Sequence, residues 1–218
     1  MKKLVTAATL FIAASAFTSA IQAAPISWST PFDSTGSTDV VNNGVFVEAF
    51  NMGAGASDVT VNSVDFTATN AILNKSSSTS FLSGATSGDS AYDDLLDSLD
   101  FGNGTSHSIE IGGGDLKIGT TYTIQAWFTD LRSCCNGRTM VLGDGGANTV
   151  DINASGAGLG QFAIGTFVAD AGTQTLSLAS PGFGNVHLSA YQVREVPAPA
   201  TLALMGLALL GFGIRRRA

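Results

Sequence analysis

The chain has 218 residues, with seventeen acids against ten bases, a net charge of −7 and only two cysteines. Residues 25–195 hold all seventeen acids against Lys75, Lys117, Arg132, Arg138 and Arg194, a net of −12. That balance argues against nucleic acid and anionic membrane as partners of this part, since both need a basic patch, and leaves cations, or neutral sugars held by Asp, Asn and aromatic groups.

The N-terminus reads as a cleaved secretory signal over residues 1–23. Lys2 and Lys3 form a basic region, Leu4 to Phe17 an apolar one, and Ile21-Gln22-Ala23 a small-residue cleavage site followed by Pro25. An uncleaved N-terminal anchor is the alternative. Such a signal implies passage through Sec-type export machinery into an oxidising compartment. The remainder, residues 25–195, is long enough for one domain with one substantial core. Its wealth of Gly, Ser, Thr, Asn and Asp disfavours long helices and suits short strands joined by tight turns, so the expected class is all-β.

Alternating patterns bounded by turn residues support that class. Gly44 to Phe50 predicts a strand covered on both sides for part of its length. From Val59 to Phe66 the apolar phase slips at Ser63, which predicts a bulge or a turn between two short strands. One short amphipathic helix is predicted from about 91 to 100. Ser90 and Asp93 suit a capping box, Leu95, Leu96 and Leu99 recur at helical spacing, and Gly102 is a C-terminal stop. The acids Asp93, Asp94, Asp97 and Asp100 invite a calcium reading, but helix-borne carboxylates without a Gly-turned loop read more simply as a solvated face. Further strands are expected over Ser108–Ile111, Tyr122–Phe128, Thr139–Leu142, Thr149–Ile152, Gln161–Val168, Thr173–Leu178 and Val186–Val193. In Tyr122–Phe128, Tyr122, Ile124, Ala126 and Phe128 share one face. About ten strands with short Gly-rich connections predict a β-sandwich.

Two segments of the second half could carry chemistry. Cys134 and Cys135 sit in the polar loop Asp130–Arg138 between two predicted strands, where an adjacent pair can close only a small strained ring. Three readings stay open: a stiffened loop, a rigid knob contacting a ligand, or a crosslink between chains or free thiols. For a loop site the candidate ligand-binding residues are Asp130, Arg132, Asn136 and Arg138, with Trp28 as a sugar platform. In Gly143 to Asn153, the oxygen donors Asp144, Asp151 and Asn153 near Gly-permitted turns make a candidate calcium site, although Gly-Asp-Gly-Gly is also a plain hairpin turn. Otherwise no cofactor is expected.

Catalytic patterns are missing. His107 and His187 are eighty residues apart with no neighbouring Cys or paired His, and neither a Gly-x-Ser-x-Gly elbow nor a phosphate-binding loop occurs. The chain is therefore expected not to be an enzyme, with a glycan-active enzyme using paired carboxylates kept as a second alternative.

The stretch from Leu116 to Arg194 is similar in rhythm to the jelly-roll β-sandwich of galactose-binding-like modules. Its carriers are the runs 119–130, 160–170, 173–178 and 188–194. The resemblance implies a ligand site among loops at one end of the sandwich.

Residues 196–218 form a tail. Pro197, Ala198 and Pro199 make a hinge, Ala200 to Ile214 is an apolar stretch, and Arg215, Arg216 and Arg217 follow. About fifteen residues give roughly 22 Å of helix, enough for a transmembrane segment if the arginines snorkel. This order resembles the PEP-CTERM sorting signal of Gram-negative bacteria, departing from it at Ala198, where the family usually has Glu. The resemblance implies export, transient inner-membrane tethering and cleavage near the hinge by an exosortase-type membrane protease. It further implies a place at the cell surface or in the exopolysaccharide of a biofilm. The expected function is a structural or adhesive matrix protein, with a carbohydrate-binding module as the first alternative.

Overall fold

The structure, a computed structural model, describes residues 25–73, 75–77 and 80–197. The signal peptide, Ala198, Pro199, the apolar stretch and Arg215 to Arg217 lie outside the described residues. Among the described residues no helix is long and apolar enough to cross a membrane.

Among the described residues fifteen short strands carry the fold. They are β1 Ser27–Trp28, β2 Phe32–Asp33, β3 Val45–Met52, β4 Val59–Val61, β5 Val64–Thr69, β6 Lys75–Ser77, β7 Leu99–Asn103 and β8 Ser106–Ile111. They continue with β9 Thr121–Phe128, β10 Thr139–Gly143, β11 Thr149–Asn153, β12 Gln161–Val168, β13 Gln174–Ala179, β14 Asn185–Leu188 and β15 Ala190–Glu195. The one α-helix among the described residues, α1, spans Ser90–Leu96, and a one-turn 3-10 helix spans Ser37–Asp39.

The largest sheet runs β1-β12-β9-β15-β3-β5-β4, with β2 also pairing with β12; a second runs β11-β10-β13-β8 and a third β14-β7-β6. Side-chain alternation explains how these layers close. On β9, Tyr122, Ile124, Ala126 and Phe128 enter one buried cluster together with Ile109, Ile111, Met140, Leu142, Leu176 and Leu178 of the second sheet. Trp127, on the opposite face of β9, joins Ala49, Phe66, Tyr92, Leu95, Leu96 and Phe162 in a second cluster. The central strands are thus buried on both faces, one against the facing sheets and the other beneath α1 and its flanking loops. Ala49 of β3 lies in the second cluster while Phe50 packs on the first, as the expectation of two-sided burial requires.

The phase slip at Ser63 is a hairpin turn. Asn62 and Ser63 both adopt positive φ, 46° and 65°, which reverses the chain between β4 and β5.

The helix is shorter than the pattern predicts. Its N-cap is Asp89 rather than Ser90, with the carboxylate accepting from the amides of Ala91 and Tyr92 at 3.1 and 3.2 Å. Asp93 turns outward to Thr86 and Ser87. The helix ends at Leu96, and Leu99 and Asp100 begin β7 instead of finishing it. Gly102 is therefore no helix stop. It lies within β7, where a Cβ would come 2.8 Å from Cγ2 of Val186 on the paired strand. The predicted strand 186–193 is two strands: at Ser189 the chain leaves the third sheet and enters the first, its amide donating to Trp127 and its carbonyl accepting from Met52.

Candidate functional site

The strand β9 ends at Phe128, and the loop that follows is pinned at both ends. The amides of Asp130 and Leu131 donate to the carbonyls of Ala154 and Phe81, and the Arg138 carbonyl accepts from Ala154 as β10 begins. Between these anchors the chain makes one tight turn, with Cys135 and Asn136 both donating to the Arg132 carbonyl at 2.8 and 3.0 Å. Cys134 and Cys135 are bonded to each other at its tip. Pinned ends and a closed tip hold Arg132 and Arg138 on opposite flanks of one turn.

Both arginines converge on Asp130, whose side chain is fully buried. Arg132 binds it in a two-pronged fork, Nε to Oδ1 at 2.7 Å and Nη2 to Oδ2 at 2.9 Å. Arg138 approaches Oδ2 to 3.6 Å and also meets His187 of β14, its Nη1 lying 2.7 Å from Nε2. A guanidinium only donates, so His187 accepts as the neutral imidazole. Burial, reinforced by the adjacent Arg138 charge, pushes the His187 pKa down to about 3. Its 3.9 Å approach to Asp130 is therefore not an ion pair at neutral pH. The Arg132 guanidinium is held above its ordinary pKa by the Asp130 hydrogen bonds, while burial lowers that of Arg138. With one carboxylate, two guanidiniums and a neutral histidine, the cluster carries a net charge of +1.

Beside it opens a cavity of about 260 Å³ lined by Ser77, Phe81, Leu99, Phe101, Arg132, Arg138, Asn185 and His187. Arg132 stacks 4.3 Å above the Phe81 ring and Arg138 lies 5.4 Å from that of Phe183. His187 packs edge-on against Phe101, centroids 5.8 Å apart. Nε of Arg138 is buried and has no hydrogen-bond partner. The arrangement offers planar donors for an anionic or polyhydroxylated group and flat apolar walls for its carbon skeleton.

Of the residues expected from the sequence, Asp130, Arg132 and Arg138 come together here. Asn136 is exposed on the loop and outside the cavity lining. Trp28 lines a different cavity with Pro25, Ile26, Ser27 and residues 147–149. Asp144 is committed to local structure, accepting from the amides of Ile26 and Gly146 and from the Asn148 side chain. Asp151 is exposed on β11, and Asn153 is bonded to Thr139 and Gln161. Among the described residues no three His, Cys, Asp or Glu side chains are grouped so as to hold a metal ion. His187, Phe81, Phe101, Phe183 and Asn185 are site residues that no sequence motif marks. Arg138 and His187 are 49 positions apart, and the histidine reaches the loop through the pairing of β14 with β7 and its amide's hydrogen bond to Sδ of Met140 on β10.

Residues 195–217 match the family described as the PEP-CTERM protein-sorting motif. The protein is therefore exported and carries a C-terminal membrane-anchored sorting signal of the type processed by exosortase, a membrane protease. No curated protein matches the chain. Among solved structures it is similar to Bacteroides uniformis β-glucuronidase, with TM-score 0.47 and 14% identity over 69% of this chain and 18% of that one. A calcium-binding mutant of Bacteroides uniformis β-glucuronidase 2 gives TM-score 0.48 and 14% identity over the same shares. The chain spans less than a fifth of the length of these proteins.

Proposed function

We propose that this is a non-enzymatic, surface-sorted protein of the bacterial envelope or exopolysaccharide matrix, and that the cavity beside Arg132, Arg138 and His187 is its glycan-binding site. Its ligand is an acidic glycan, one carrying carboxylate or sulfate groups. Export uses the Sec-type route, release uses the exosortase-type protease, and no metal or cofactor takes part.

One observation carries this reading: in a domain of net charge −12, two of the five bases meet at one aromatic-walled cavity and leave it locally positive. Overall charge alone pointed to cations or neutral sugars; the local arrangement reverses that preference. A non-catalytic role is favoured because the cavity lining includes no carboxylate and the nearby Asp130 is engaged through both oxygens. A glycosidase needs two carboxylates that face the sugar.

The test is calorimetric titration of the protein with a polyuronate and with its methyl ester. Saturable binding of the acid form, lost in the ester and unaltered by calcium or a chelator, is the expected outcome. Arg138→Gln should weaken it about 10- to 100-fold, as expected for a charged hydrogen bond of roughly 1.5–3 kcal/mol. Equal binding of acid and ester, or release of reducing sugar, would overturn the reading.

A further inference from the structure

Six large apolar side chains are conspicuously exposed among the described residues, and five of them lie at one end of the molecule. They are Val45 at 57%, Phe46 at 48%, Ile118 at 76%, Val168 at 53% and Val196 at 37%; the sixth is Phe32. The register places them together. Val45 pairs with Glu195 and Phe46 with Arg194, Val168 pairs with Thr121, and the Val196 amide donates to the Thr121 carbonyl. Ile118 sits in the loop that enters β9, fixed by the neighbouring Gly119 amide on Ala169. Val45, Phe46 and Val47 also line a shallow depression of about 230 Å³ with Asp115, Lys117, Tyr122 and Glu195.

This rim is where the chain leaves the domain for its sorting tail. Four residues, 196 to 199, separate the last strand from the apolar stretch that begins at Ala200, and four residues span at most about 14 Å. The headgroup layer of one leaflet takes up about 6 Å of that reach. While the tail is inserted, the rim is held within about 8 Å of the bilayer surface. β1, antiparallel to β12 with Ser27 opposite Thr166, starts at this same end, so Pro25, which follows the signal segment, emerges there too.

We propose that this apolar rim rests on the headgroup–acyl boundary of an electrically neutral bilayer while the protein is tethered, and so fixes the domain upright on the membrane. The charges at the rim suit a neutral surface. Lys117 and Glu195 pair at 2.9 Å and cancel, the Arg194 guanidinium beside Phe46 is turned onto the carbonyls of Asn42, Asn43 and Gly44, and the acids Asp115 and Asp170 balance it. The loop site stands at the opposite end of β9, about 25 Å away for eight residues of strand, and therefore faces outward.

The test is hydrogen exchange on the full chain in phosphatidylcholine nanodiscs, compared with the same chain in detergent and after cleavage in the hinge. At least fivefold slower exchange over residues 117–120 and 167–169 in nanodiscs only, with residues 133–137 unchanged, is expected. The variant Ile118→Asp/Val168→Asp, at exposed positions, should remove that protection without lowering the melting temperature. Protection that persists in detergent or after cleavage, that grows with phosphatidylglycerol content, or that survives in the variant would overturn the proposal.

Discussion

At Asp130 a carboxylate with no exposed surface organises two guanidiniums of unequal burial, Arg132 at 29% and Arg138 at 11% side-chain exposure. Removing its charge would leave both arginines and the Arg138–His187 contact uncompensated. Asp130→Asn should therefore cost about 3 kcal/mol in urea unfolding, as breaking a buried ionic group does. Asp100, on the neighbouring β7, behaves differently. Its Oδ2 accepts from the amides of Ile72 and Leu73 at 3.2 and 3.3 Å, but Oδ1 is buried without a partner, and burial pushes its pKa up to about 6. A raised carboxyl pKa means that the folded state binds its proton more tightly. Its stabilisation is complete below about pH 4 and lost as pH rises through 6. Asp100→Asn should consequently raise stability by up to roughly 3 kcal/mol at pH 7 and change little at pH 4. His187 acts in the opposite sense. With its pKa lowered to about 3, the stability it contributes is present above pH 6.5 and is lost as pH falls toward 3, with Asp130, Arg132 and Arg138 as the charges that face it. Melts of wild type and Asp100→Asn between pH 4 and 8 separate the two.

At the scale of elements, alternation was legible wherever a strand had one wet face or a periodic buried one. β9, β10, β11, β12 and β13 fall within a residue or two of their expected bounds. What misled was local ambiguity resolved by distant partners. Leu95, Leu96 and Leu99 fit a helix period, yet Leu99 and Asp100 are claimed by pairing with Ser76 and Ser77 of β6 and with Leu188 of β14. Short strands such as β1, β2 and β6 have too few residues for a period to register. The same limit applies to the site. The two arginines and Asp130 share one loop and could be seen together, whereas His187 and the phenylalanines arrive from other strands. The slip at Ser63 had two readings, and the positive φ of Asn62 and Ser63 decides between them. That geometry gives a direct prediction. Ser63 holds a left-handed conformation that glycine adopts freely, so Ser63→Gly should stabilise the protein by about 0.5–1 kcal/mol, read as a higher melting temperature.

For the whole molecule, the sequence disclosed destination better than action. Its tail pattern is local and dense, and the family match over 195–217 covers nearly all of it. The domain between the termini has no comparably compact signature, because its site is assembled from separate strands. The finished sheets have another property, set by their borders. The largest sheet ends in β1 and β2, two residues each, on one side and in the three-residue β4 on the other. The second ends in β8 and β11, whose outward residues are Ser106, Ser108 and Glu110, and Thr149, Asp151 and Asn153. Borders this short or this polar disfavour strand pairing with a neighbouring copy. Copies crowded together at high concentration would stay individually folded and free to turn over, instead of stacking strand to strand into fibres.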